Sequence, residues 1–198
     1  MPPMTAAQLL EGLARYRTNE VVVTTMSSAR PWGHLSGHDL DFASIDSAMG
    51  HGADLALGIA LARPERKVIC LNGDGSMLMT LGTLATVVGA APLNFVLIVC
   101  DNGTFEITGN QPVAGAGRID HGAVAEAAGF RNVFRFEEAR DYVESLPEVL
   151  AALGPTFVHA IVTPGAEGPI GRGPDQEVDY LRPSLAESAR ALKTSLTG

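Results

Sequence analysis

The sequence predicts an α/β protein built on a doubly wound, mostly parallel sheet with helices on both faces. Three observations point there. Short apolar runs rich in β-branched residues recur at Val21–Thr25, 68–71, 94–100 and 156–163. Helix-patterned stretches separate them. Most of the runs are apolar throughout rather than alternating, as strands covered on both faces require.

Taken in order, residues 5–16 place Leu9, Leu10, Leu13 and Tyr16 at helical spacing behind Thr5, a suitable N-cap. Val21–Thr25 is a buried strand. Residues 30–42 hold Pro, Gly and His with no period and read as loop. Gly52–Ala62, rich in Ala, Leu and Gly, reads as a closely packed helix closed by Pro64. A strand at 68–71 leads through a Gly-rich turn into a helix over 77–89. The third strand is 94–100, followed by a turn-rich loop over 101–117. A helix at His121–Ala128, a strand at Asn132–Phe136, a helix at 141–153 and a last strand at 156–163 follow. There is no internal repeat and no long linker, so residues 1–198 read as a single domain.

Composition narrows the function. With 46% hydrophobic and 18% charged residues the chain is no disordered tail. A formal net charge of −8 argues against a nucleic-acid surface. The longest apolar run, 95–100, is too short for a bilayer, and Met1-Pro2-Pro3-Met4 starts no secretion signal, so no membrane segment and a cytoplasmic location are expected. Cys70 and Cys100 each end an apolar run and read as small buried hydrophobes in a reducing compartment. In so acidic a chain, a bound anion must be held by backbone amides and a cation.

Two motifs supply such a place. Gly73-Asp74-Gly75-Ser76 lies between a buried strand and a helix. Alone it could be a β-turn with an Asp cap. As an anion site, its glycines let the backbone approach a ligand, and Asp74 offers a hard oxygen suited to Mg²⁺. Asp101-Asn102-Gly103-Thr104 follows the third strand directly. Alone it is a tight turn. One helix and one strand separate it from Gly75, however, so adjacent parallel strands bring Asp74 and Asn102 to the same edge of the sheet. A carboxylate and an amide oxygen converging there form an octahedral cation site once phosphate oxygens, a carbonyl and water join them.

The GDG segment, the interval and the DN pair resemble the signature of the thiamine diphosphate enzyme superfamily, specifically its diphosphate-binding domain. Met49-Gly50-His51-Gly52 running into Leu57-Gly58-Ile59-Ala60-Leu61-Ala62, and Asp101-Asn102-Gly103 through Thr108-Gly109-Asn110-Gln111-Pro112, are similar to the sulfopyruvate and phosphonopyruvate decarboxylase group, including the β subunit of the former. The similarity covers most of residues 5–165. It implies thiamine diphosphate and Mg²⁺ as cofactors. It implies Asp74, Asn102 and the carbonyl of Thr104 as metal ligands, with Gly73, Gly75, Ser76 and Phe105 around the diphosphate. Met49 matches the apolar wedge that bends the cofactor until its 4′-imino nitrogen meets the thiazolium C2–H; core packing is its other reading, and both can hold. Ser47 matches the position whose carbonyl accepts from the 4′-amino group, and Thr24-Thr25-Met26-Ser27 aligns with a TTG-containing segment near the aminopyrimidine, which makes Thr25 a cofactor contact. Met26 stands where that group carries Gly, Ser47-Ala48 replaces Gly-Ser, and Glu106 stands where Gly is usual.

Among the histidines, His51 just past the wedge is the candidate for a direct catalytic role beside Met49. His34 and His38 fall in the 30–42 loop, while His121 and His159 look structural. The superfamily activates its cofactor with a glutamate from a pyrimidine-binding domain, for which these residues leave no room. The resemblance therefore implies a partner subunit supplying that glutamate, and a small 2-oxoacid substrate with sulfopyruvate foremost. A carboligase or C–C lyase subunit is the alternative within enzymes, and a non-catalytic, cofactor-binding regulatory subunit the alternative outside them.

Overall fold

The structure is a computed structural model of the chain and describes residues 3–46 and 49–197. It opens with helix α1 (Ala6–Tyr16), strand β1 (Val21–Thr25), α2 (Met26–Leu35), β2 (Asp41–Ser44) and α3 (Gly52–Ala62). Next come β3 (Val68–Gly73), α4 (Asp74–Met79), α5 (Thr83–Ala90) and β4 (Phe95–Asp101), then the short strands β5 (Thr104–Phe105) and β6 (Gln111–Pro112). The chain continues through α6 (His121–Ala128), β7 (Asn132–Phe136), α7 (Ala139–Ala151), β8 (Thr156–Ile161) and α8 (Leu185–Thr197). Thr5 caps α1 reciprocally: its hydroxyl accepts from the Gln8 amide at 3.2 Å, and Gln8 Oε1 accepts from the Thr5 amide at 2.9 Å.

Six strands form one sheet in the order β2-β1-β3-β4-β8-β7, every pair parallel. The pleat divides the core in two. Val21, Val23, Val68, Cys70, Leu97, Val99 and Phe157 meet α3, α5, α6 and α8 on one face. Val22, Ile69, Leu71, Val96, Ile98 and Val158 meet α1, α2 and α7 on the other. This is the doubly wound sheet that runs of unbroken apolar residues require. From β1 the chain goes outward to β2 and then back past β1 to β3, so a crevice opens beyond the carboxyl ends of β1 and β3.

The structure departs from the sequence reading in four places. Residues 30–42 are not loop: α2 spans Met26–Leu35 with Pro31 inside it, and β2 begins at Asp41. Tertiary burial overrides the proline, since Trp32 is fully buried and Gly33 lies so close to Val178 and Tyr180 that a side chain there would overlap both. β2 is held at the sheet edge by pairing with β1 and by Arg17, which donates to Asp41 Oδ1 at 3.1 Å in a buried pair. The helix expected over 77–89 is two helices broken at residues 80–82. There Thr80 Oγ1 donates to the Gly50 carbonyl at 2.9 Å and Thr83 Oγ1 to Asp54 Oδ1 at 2.7 Å. The loop after β4 contains the antiparallel pair β5–β6. Beyond residue 165 the chain adds α8, whose Leu192 closes the core below β2.

Leu97 lies at the centre of the sheet and is fully buried. Leu97→Ala should destabilise the fold by about 2–5 kcal/mol, read as a shift in the midpoint of denaturant unfolding. A loss below about 1 kcal/mol would show that this face is loosely packed.

Candidate functional site

Three parallel strands end at one place. β1 finishes at Thr25, β3 at Gly73 and β4 at Asp101, with Gly73 paired in register to Cys100. That register sets the two motifs side by side: the Gly103 amide donates to Asp74 Oδ2 at 3.0 Å. An open cleft lies over these strand ends. It gathers Thr25, Met49, Gly73, Asp74, Gly75, Ser76, Asn102, Thr104 and Phe105. Ser47 lies outside the described residues. His51 is not brought in: it precedes α3 with its ring exposed, and Nδ1 pairs with Asp54 Oδ2 at 2.7 Å.

Local chemistry explains each placement. Gly75 has no side chain because a Cβ there would collide with the Phe105 ring, and it would lie 3.0 Å from Val113. Gly50, with φ at +105°, turns the chain tightly enough for its carbonyl to meet Thr80, which fixes the turn carrying Met49 against the end of α4. Thr25 donates its hydroxyl to the Leu71 carbonyl at 3.0 Å, locking β1 to β3 at the cleft floor. Met26, where the resemblance places Gly, has φ of +35°. That is the left-handed region, at a cost of about 1–2 kcal/mol for a residue with a Cβ.

The electrostatics are one-sided. Asp74 and Glu106 are buried at the cleft wall, and none of the described residues lining the cleft is Lys, Arg or His. Burial, then the neighbouring Asp101 charge, push the Asp74 carboxyl well above the ordinary carboxylate range, against the Gly75 and Gly103 amides that pull it down. Asp101 sits lower than usual. Burial raises it, but the His159 Nε2 hydrogen bond at 2.8 Å and the charges of His121 and His159 outweigh that. His159 Nδ1 lies 3.3 Å from both the Gly122 amide and Asp120 Oδ1, so the ring is held between Asp101 and Asp120. Burial pushes the Cys100 thiol up to about 12, so it stays protonated and is no nucleophile.

Two features fit a diphosphate and a hard cation. Ser76 Oγ is buried in the cleft wall without a hydrogen-bond partner, a donor left over for a ligand. Asp74, the Asn102 amide oxygen and the Thr104 carbonyl offer oxygen only, the donor type Mg²⁺ prefers. Asp74 also comes within 4.8 Å of Asp101 and His121, a mixed oxygen and nitrogen set. The described cleft supplies no cationic side chain to an anion. Sequence reasoning gave no site role to Cys100 and Ile107 in the cleft lining or to the Asp101–His159 pair behind it; their only signal was their nearness to the motifs.

Residues 20–160 match the family described as thiamine pyrophosphate enzyme, C-terminal TPP binding domain, and the chain belongs to that family, whose cofactor is thiamine diphosphate under its other name. It is 42% identical over 156 residues to phosphonopyruvate decarboxylase of Streptomyces viridochromogenes, covering 79% of this chain and 38% of that protein. It is 42% identical over 118 residues to the sulfopyruvate decarboxylase subunit beta of Methanothermobacter thermautotrophicus, 60% of each chain. The chain thus spans less than two thirds of the length of both relatives. Benzoylformate decarboxylase of Polynucleobacter necessarius superposes with a TM-score of 0.73 over 86% of this chain and 35% of its own, at 19% identity, a likeness of fold.

Asp74→Asn keeps the shape of the side chain but removes its charge. We expect the Mg²⁺ dependence of thiamine diphosphate binding to weaken at least about tenfold by calorimetric titration, with the circular dichroism unchanged. Wild-type affinity in this variant would take Asp74 out of the metal site.

Proposed function

We propose that this chain is a single-domain, diphosphate-binding subunit of a two-subunit thiamine diphosphate-dependent 2-oxoacid decarboxylase. The observation that carries the reading is the convergence of Asp74, Asn102 and Thr104 at the ends of two adjacent strands, in a cleft whose described lining has no cationic side chain. In this reading Asp74, Asn102 and the Thr104 carbonyl hold Mg²⁺. Gly73, Gly75 and Phe105 give the diphosphate close backbone approach, and Ser76 offers it the free hydroxyl. Met49, on a turn anchored by Thr80, and Thr25 at the cleft floor would both contact the cofactor's organic part. Bound there, the cofactor supplies a carbon nucleophile and an electron sink.

The N1′ glutamate comes from a partner subunit. Besides Asp74, the acid in the described cleft is Glu106, and both its oxygens are engaged, by Asn102 Nδ2 at 2.9 Å and the Glu167 amide at 2.8 Å. Beside the turn carrying Met49, Leu55, Met79 and Leu81 are each more than a third exposed, an apolar rim suited to a partner. The relatives named as beta subunits support this division. This chain covers 38% of the phosphonopyruvate relative and 60% of the sulfopyruvate one. Both cysteines are unpaired, which supports a reducing, cytoplasmic setting, and among the described residues no helix is long and apolar enough to cross a membrane.

The described cleft lining offers no cation to a sulfonate or phosphonate, so recognition of such a group falls to the partner. The same observation favours, as second reading, a carboligase or lyase acting on a less charged 2-oxoacid. The purified chain with saturating thiamine diphosphate and Mg²⁺ should turn over no 2-oxoacid. Lacking the N1′ acid removes on the order of 10²–10⁴ in rate. Co-expression with a pyrimidine-domain chain should restore CO₂ release, with sulfopyruvate as first substrate. Robust turnover by the chain alone would sink the two-subunit reading, and restored carbon–carbon ligation without sulfopyruvate turnover would favour the second.

A further inference from the structure

Glu106 has a carboxylate with two unusual partners. It is 8% exposed and lies in the wall between the cofactor cleft and a second cavity bounded by α1, α2 and residues 163–167. One oxygen, Oε2, accepts from Asn102 Nδ2 at 2.9 Å. The other, Oε1, accepts from the backbone amide of Glu167, 61 residues further on, at 2.8 Å. We propose that Glu106 is a positioning residue that fixes the Asn102 amide for the metal and ties the segment after β8 to the metal loop. The inference rests on the reading of Asn102 as a metal ligand given above.

A side-chain amide has an oxygen face and an NH₂ face of nearly equal shape, so packing alone selects neither. Glu106 selects one. With the NH₂ held by the carboxylate, Oδ1 turns toward the Thr104 amide, from which it accepts at 3.0 Å, and one lone pair is left for a cation. Rotated by half a turn, the same amide would present N–H groups to the metal and lose both hydrogen bonds. The carboxylate is itself clamped. Gly165 packs so closely that a Cβ there would overlap Glu106 Oε1, and Asn110 Nδ2 donates to the Gly165 carbonyl at 3.0 Å. Arg30 on α2 then holds the far end of the segment, donating to Glu167 Oε2 at 2.7 Å and to the Pro169 carbonyl at 2.8 Å. A buried carboxylate held from both sides sets a ligand more rigidly than a loop does by itself.

The alternative is that Glu106 satisfies buried donors for the sake of the fold and has no bearing on the metal. The two separate in a titration of the full chain with Mn²⁺ and inorganic diphosphate, followed by electron paramagnetic resonance, alongside thermal unfolding without metal. Glu106→Ala, and Glu106→Met, which fills the space without an acceptor, should take up Mn²⁺ roughly 10- to 100-fold more weakly. Glu106→Gln, whose amide oxygen can still accept from Asn102, should recover part of the loss. Asp74→Asn reports on the site itself. If Asp74→Asn loses Mn²⁺ while Glu106→Ala and Glu106→Met bind as wild type, whatever their melting temperatures, the positioning role is overturned and the metal site stands. If the wild-type chain shows no diphosphate-dependent uptake, or Asp74→Asn matches it, the metal site and this inference fall together. If neither apolar variant folds, Glu106 belongs to the fold and the inference is overturned.

Discussion

The pairing of Gly73 on β3 with Cys100 on β4 decides where the chemistry of this chain is placed. Parallel neighbours end at the same edge, so their next residues leave the sheet together, and here those residues are Asp74 and Asn102. The Gly103 amide closes the junction by donating to Asp74. Shifting the register by one residue would exchange the two faces of β4, taking Leu97 and Val99 away from α3 and α5. The hydrophobic core therefore holds the site in place, although no core side chain belongs to it.

The cleft concentrates negative charge and provides nothing in its described lining to balance it. Isolated burial of Asp74 is unfavourable, and Asp101 beside it makes it more so. His159 and His121 stabilise Asp101 from behind, which leaves Asp74 to be balanced, in the proposed function, by a cation from in front. The buried, unpartnered hydroxyl of Ser76 belongs to the same logic, since its missing hydrogen bond is a place kept for a ligand.

Stabilising contacts reach the site from distant parts of the chain. Thr80 binds the turn that carries Met49, Tyr180 donates to the Ala29 carbonyl on α2, and Arg30 fastens the segment after β8. Glu106 joins that segment to the loop carrying Asn102. The residues after 165 thus brace the cleft from behind without lining it, even though the match to the family ends at residue 160.

What the sequence by itself determined was the part governed by local pattern. Strands buried on both faces must be apolar throughout, which made β1, β3, β4 and β8 legible. The interval from Gly75 to Asn102, one helix and one strand long, was enough to place the two motifs at one edge. Tertiary structure decided the rest. A segment with Pro31, Gly33 and His34 shows no helical period, and α2 exists because Trp32 and Ala29 are buried by elements far along the chain. The break between α4 and α5 depends on Thr80 and Thr83 finding partners near α3. His51 looked well placed from its neighbours, yet the first turn of α3 directs it to Asp54 at the surface. Glu106 reads as an odd residue in a loop until the fold brings Glu167 to it, because a hydrogen bond spanning 61 residues leaves no periodic or compositional trace.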